Sequence, residues 1–113
     1  LAVSGVFDLT PLVHVSMNED LRLTPDEARA VSPLFWPLPS GRALDAWCGA
    51  LESGEFRRQN RIIAEAWGKA SADTAAREVA GANHFTVIDP LAEPDSEMVG
   101  RIVQLASRMH APA

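Results

Sequence analysis

Residues 42–49 (RALDAWCG) set the terms for the rest of the chain. Read as a strand, they place Leu44, Ala46 and Cys48 on one face and Ala43, Asp45 and Trp47 on the other. Asp45 is awkward in a fully buried strand and needs a partner or a sheet edge. Cys48 reads as a packed core thiol. Directly afterwards Ser53 caps a helix, with Glu55 favourable in its first turn. Phe56, Ile63 and Trp67, with Ile62 and Ala66 alongside, form a core-facing stripe that ends near Gly68. Arg57, Arg58, Arg61 and Glu65 flank it as a solvated face. Residues 77–80 predict a short last strand. Residues 94–109 predict a helix that buries Met98, Ile102, Leu105 and Met109, widened by Val99, Val103 and Ala106. At the other end, residues 1–4 (LAVS) predict a buried parallel strand that stops at Gly5.

The order is therefore strand, long connection, strand, helix, strand, helix. Strands alternating with helices imply an α/β fold with a parallel sheet covered on both faces. Right-handed crossovers then gather the loops that follow the strands on one edge. Two such loops carry chemistry. Gly81-Ala82-Asn83-His84-Phe85-Thr86-Val87-Ile88-Asp89-Pro90 sets a histidine in a short polar turn just before an apolar anchor, and Glu52 lies 32 residues earlier, after the preceding strand. An acid after one strand and a histidine after the next is the spacing of two members of a nucleophile–base–acid triad. The plainer reading makes His84 an ordinary polar loop residue.

The connection, about residues 10–40, contains one clear helix start. Thr24 is the cap, Pro25 takes the first helical position and Glu27 completes a capping box. Ser32-Pro33 ends that helix. The segment 34–39 (LFWPLP) is apolar and proline-stiffened and is not expected to be helical; it serves as a cover for the core or as the wall of a pocket.

Totals remove several function classes. A chain of 113 residues is one small domain, and 47% hydrophobic residues exclude disorder. The net charge is −5 with scattered basic residues and no aromatic interleaving, so nucleic-acid binding is not expected. One cysteine allows no internal disulfide, and no zinc-type spacing joins Cys48 to His14, His84 or His110; no metal and no cofactor are expected. No apolar run long enough for a membrane span and no signal-peptide pattern occur, which predicts a soluble, cytoplasmic protein. The opening Leu1-Ala2-Val3-Ser4-Gly5 reads like the middle of a buried strand, as though a larger domain had been entered partway.

Three blocks together carry a resemblance: Ser4-Gly5-Val6-Phe7-Asp8-Leu9, then Leu51-Glu52-Ser53-Gly54-Glu55-Phe56-Arg57-Arg58-Gln59, then Gly81-Ala82-Asn83-His84-Phe85. The chain resembles the C-terminal half of an α/β-hydrolase, in particular the kynurenine formamidase (arylformamidase) group and neighbouring small esterases. The resemblance implies the α/β-hydrolase fold, with 1–113 as the C-terminal part of a single domain. It also implies a serine hydrolase whose triad runs Ser, then Asp or Glu, then His. Glu52 matches the triad acid and His84 the base; Glu55 is the competitor for the acid. The implied substrate is N-formylkynurenine or a related formyl amide, within tryptophan catabolism. The nucleophile's G-x-S-x-G elbow does not occur in these residues, so the chain alone is expected to be inactive.

The expected partners are accordingly a small-molecule substrate and the missing N-terminal half of the same fold, lost, cleaved or carried on a separate chain, with a homo-oligomer compatible with both. Two alternatives stand beside this reading: a small carboxylesterase of the same fold, and a non-catalytic fragment or interaction module. His14 and His110 receive no role. The substrate pocket is expected to draw on residues 11–39.

Overall fold

In the computed structural model, which describes residues 1–38, 40–69 and 73–108, three strands form one parallel sheet. They are β1 (Ala2–Val3), β2 (Ala43–Gly49) and β3 (Asp73–Val79), in the order β1-β2-β3. Registers are direct: Ala2 lies opposite Ala46, and β2 pairs with β3 from Ala43↔Asp73 to Gly49↔Val79 without offset. The mixed α/β architecture expected from the alternation of elements is the one that forms.

Helices α3 (Gly54–Gly68) and α4 (Glu97–Arg108) take opposite faces of this sheet, as the alternation of side chains along β3 shows. Thr74 Oγ1 donates to the Ala64 carbonyl of α3 at 2.8 Å, and Glu78 pairs with Arg57 and Arg61 of the same helix. Asp73 and Arg77 point the other way and pair with Arg108 and Glu97 of α4. Asp45 on β2 finds its partner on that side too. Its carboxylate is fully buried and accepts hydrogen bonds from Arg101 Nε at 2.7 Å and Nη2 at 2.8 Å. The Arg101 hydrogen bond, helped by that of Trp47 and opposed by burial, holds the Asp45 carboxyl below its ordinary range.

The long connection contains α1 (Asn18–Leu21) and α2 (Pro25–Ala30). Thr24 and Glu27 form the expected reciprocal capping box at the start of α2. Ala28 and Ser32 are buried, and Ser32 Oγ receives Leu9 N–H at 2.7 Å, which ties α2 to the turn after β1. Pro33–Phe35 is a single 3-10 turn, so the proline-stiffened segment is not free of helical geometry as expected: proline at the first position fits such a turn. Pro39 lies outside the described residues.

Other expectations need correction. The last strand is longer than 77–80 and begins at Asp73; pairing with β2 holds residues whose own pattern carries no strand signal. Helix α4 begins at Glu97, not at Pro94, because Ser96 acts at its start: Ser96 Oγ accepts Val99 N–H at 3.2 Å. Of its anticipated stripe only Met98 is buried. Leu105 and Val99 are half-covered, Ile102, Val103 and Ala106 are exposed, and Met109 and His110 lie outside the described residues. On α3 the deepest side chains are Gln59, Asn60, Ile63 and Ala64, with Phe56 and Trp67 only half-buried. The arginines of α3 are paired rather than simply solvated: Arg57 and Arg61 meet Glu78, and Arg58 meets Glu55 and Asp8.

Candidate active site

Direct pairing of Gly49 with Val79 makes β2 and β3 end side by side, and the loops that follow are bonded to each other. Ala50 N–H donates to the Val79 carbonyl at 2.9 Å and Leu51 N–H to the Ala82 carbonyl at 3.0 Å. The approach is close enough to require glycine at position 49. A Cβ there would sit 2.2 Å from the Ala82 carbonyl oxygen. Gly81 supplies a second permissive point, with φ +71°. Beyond it Asn83 Oδ1 accepts Phe85 N–H at 2.9 Å and Thr86 N–H at 3.0 Å, closing a side-chain turn around His84. Val87, fully buried, anchors that turn to the core.

This arrangement brings Glu52 and His84 together: His84 Nδ1 lies 2.7 Å from Glu52 Oε1. The Glu52 side chain is 1% exposed and that of His84 49% exposed. Burial pushes the Glu52 carboxyl up. Hydrogen bonds from the Ser4 hydroxyl, the Gly49 N–H and His84 outweigh it, and the net shift is downward. Ser4 Oγ donates to Glu52 Oε2 at 2.6 Å, and the Gly49 N–H donates to the same oxygen. An ionised carboxylate only accepts, so Nδ1 is the donor, and in the neutral ring Nε2 is the bare nitrogen. Among the described residues Nε2 makes no hydrogen bond. The imidazole is flanked by Phe56, with centroids 4.7 Å apart, and by the edge of Phe85 at 5.7 Å.

Glu55, the competing acid, is engaged elsewhere. It accepts two hydrogen bonds from Arg58, at 2.8 and 2.7 Å, and one from Gln59 Nε2 at 2.8 Å. Cys48 is buried away from solvent. Burial first, then the charges of Glu78 and Glu52, push its thiol up to about 11. His14 is exposed. Among the described residues no group of acidic, histidine and cysteine side chains is arranged to hold a metal ion, and no helix is long and apolar enough to cross a membrane.

Two residues that sequence reasoning left without a role hold the site's frame. Ser4 ends β1 with a left-handed backbone, φ +47°, and reaches Glu52. Gln59, buried in α3, brackets the turn after β1: its Oε1 accepts Phe7 and Asp8 N–H, both at 2.9 Å, and its Nε2 donates to the Asp8 carbonyl at 2.8 Å. The only signal for either was membership of the same sequence blocks as Asp8 and Glu52. Next to Phe56, a cleft of about 250 Å³ is lined by Val6, Pro11, Leu12 and Val15; His84 is not among its lining residues.

No protein-family model matches the chain. Over 97 residues it is 29% identical to a kynurenine formamidase of Danio rerio, an alignment that covers 80% of this chain and 33% of that protein. It is also similar to a solved structure from Silicibacter sp. TM1040, described as a "putative thioesterase". The identity there is 36% and the TM-score 0.76, over 89% of this chain and 37% of that one. The chain thus spans about a third of the length of each of these two proteins.

Proposed function

We propose that these residues supply the acid and base of a serine-hydrolase site in an α/β-hydrolase fold, and that the complete protein cleaves an aryl formyl amide of the N-formylkynurenine kind. One observation carries the reading: a buried, ionised Glu52 holds His84 by Nδ1, on a half-exposed ring whose Nε2 makes no hydrogen bond among the described residues. The chain order of acid before base and the likeness to a formamidase and a thioesterase support it.

In this mechanism Nε2 removes the proton of a serine hydroxyl as its oxygen bonds to the formyl carbon. Nε2 then gives that proton to the leaving nitrogen as the carbon–nitrogen bond breaks. Water repeats the sequence on the acyl-enzyme, returning its own proton through Nε2 to the serine oxygen. Glu52 accepts no proton; it fixes the tautomer and stabilises the imidazolium. The nucleophile belongs to polypeptide outside these residues, because no G-x-S-x-G occurs in them. The outer edge of β1, which pairs only with β2 among the described residues, is where that polypeptide would extend the sheet.

A thioester substrate is the second reading, favoured by the 36% identity to the Silicibacter structure. Rates of the complete protein on an aryl formamide, a short-chain ester and an acyl thioester separate the two. A fluorophosphonate probe tests the site itself. Labelling should fall on a serine outside this sequence and vanish in His84→Ala; labelling at Ser4, or turnover that survives His84→Ala, overturns the assignment.

A further inference from the structure

We infer that Ser4 is a positioning residue for the Glu52–His84 pair, its hydroxyl occupying Glu52 Oε2 so that Oε1 faces the imidazole. The inference rests on the hydrolase reading above for its effect on turnover, but not for its effect on the pair. A glutamate side chain turns about three bonds before its carboxylate, so a 2.7 Å contact from Oε1 to Nδ1 needs the other oxygen pinned. Two donors pin it: the Gly49 N–H, fixed by the end of β2, and Ser4 Oγ at 2.6 Å. Ser4 arrives from a different strand, so the two grips come from separate elements and fix the carboxylate in position and tilt.

The backbone supports the assignment. Ser4 N–H donates to the Trp47 carbonyl at 2.7 Å, holding the residue against β2, while φ +47° turns its side chain toward Glu52. A left-handed conformation is unfavourable for serine and comfortable for glycine, and such outliers persist where the surroundings impose them. Nothing else in the described structure uses the hydroxyl: its one hydrogen bond is to Glu52.

The same feature gives a clean variant. Ser4→Gly deletes the hydroxyl and relaxes the backbone, so folding is not at risk from strain. In the complete, active protein it should lower kcat about tenfold, leave KM within twofold and leave Tm unchanged or slightly raised. With ¹⁵N-histidine labelling, the low-field Nδ1 proton of His84 should broaden or move upfield. An unchanged Nδ1 resonance overturns the inference whatever happens to the rate, and so does a kcat loss that merely follows a fall in Tm. Ser4→Ala, which keeps the strained backbone, should reproduce the kcat loss; wild-type kcat in both variants also overturns the role. If His84→Ala stays active while Ser4→Gly still moves the resonance, the hydrolase reading fails and the hold of Ser4 on the pair stands.

Discussion

Arg101 and Asp45 meet as a fork on a carboxylate, two hydrogen bonds at 2.7 and 2.8 Å, and so fasten α4 to the middle strand of the sheet. The acid is fully buried, whereas the arginine side chain is 18% exposed. The contact is therefore one-sided in its consequences. An arginine that loses its partner can turn to water; Asp45 cannot.

Arg101→Met should accordingly be far more damaging than Asp45→Asn. Leaving the Asp45 charge uncompensated costs roughly 3 kcal/mol, the lower end for a broken buried pair because one partner reaches solvent. Urea unfolding midpoints of the two variants give the comparison. Equal shifts would mean that the buried Asp45 charge carries no penalty of its own.

Gly49→Ala should harm stability and site together. The new methyl would lie 2.2 Å from the Ala82 carbonyl, with backbone on both sides, so the two loops must separate. Overpacking of this kind costs about 1–3 kcal/mol. Because Ala82 is two residues from His84, the histidine moves with it. The measurement is thermal unfolding alongside turnover of the complete protein, and normal values of both would show that the loops yield freely.

Glu52 makes a defined contribution to acid stability. Its folded-state carboxyl binds a proton less readily than the ordinary value of 4.5 would allow. As pH falls below that value, the unfolded chain takes up the proton first, and stability drops until the folded carboxyl is protonated too. Above it the contribution is complete. Tm followed from pH 6 to pH 3 should therefore fall more steeply in the wild type than in Glu52→Gln. Parallel curves would mean that the carboxylate is not stabilised by its three donors.

Gln59→Ala should free the turn after β1. It strips the partners from Phe7 N–H, Asp8 N–H and the Asp8 carbonyl. With water able to reach part of the gap, the loss is about 2–3 kcal/mol. Amide exchange at Phe7 and Asp8 should accelerate more than at Ala46 or Cys48 in the sheet. Uniform exchange would remove the bracket as a local device.

The alternation of elements was readable because each depends on neighbours in sequence: the two faces of β2, the Thr24 box and the Ser53 cap are local signals. The convergence of Glu52 and His84 followed from topology alone, since residues just beyond adjacent parallel strands share an edge. What escaped depends on distant partners. Gln59 is buried only because the turn at Phe7 and Asp8, more than fifty residues away, is folded over it. The first half of β3 (Asp73, Thr74, Ala75, Ala76) carries no apolar alternation and becomes a strand only by pairing with β2. On α4 the reverse holds. Ile102 and Val103 have the right spacing for burial, yet Met98 is the one residue of the stripe that is fully covered among the described residues.

The unbroken register between β2 and β3 also sorts where the chain tolerates changes in length. Gly49 and Val79 share a rung, and Glu52 and His84 follow three and five residues later, so the distance between them is inherited from the ladder. One residue inserted into β2 would advance its end by about 3.3 Å and turn every side chain beyond the insertion to the opposite face. Length variation should therefore accumulate between residues 10 and 38 and be absent from 43 to 49 and from 79 to 84. The spacing of the pair is heritable as a count of residues.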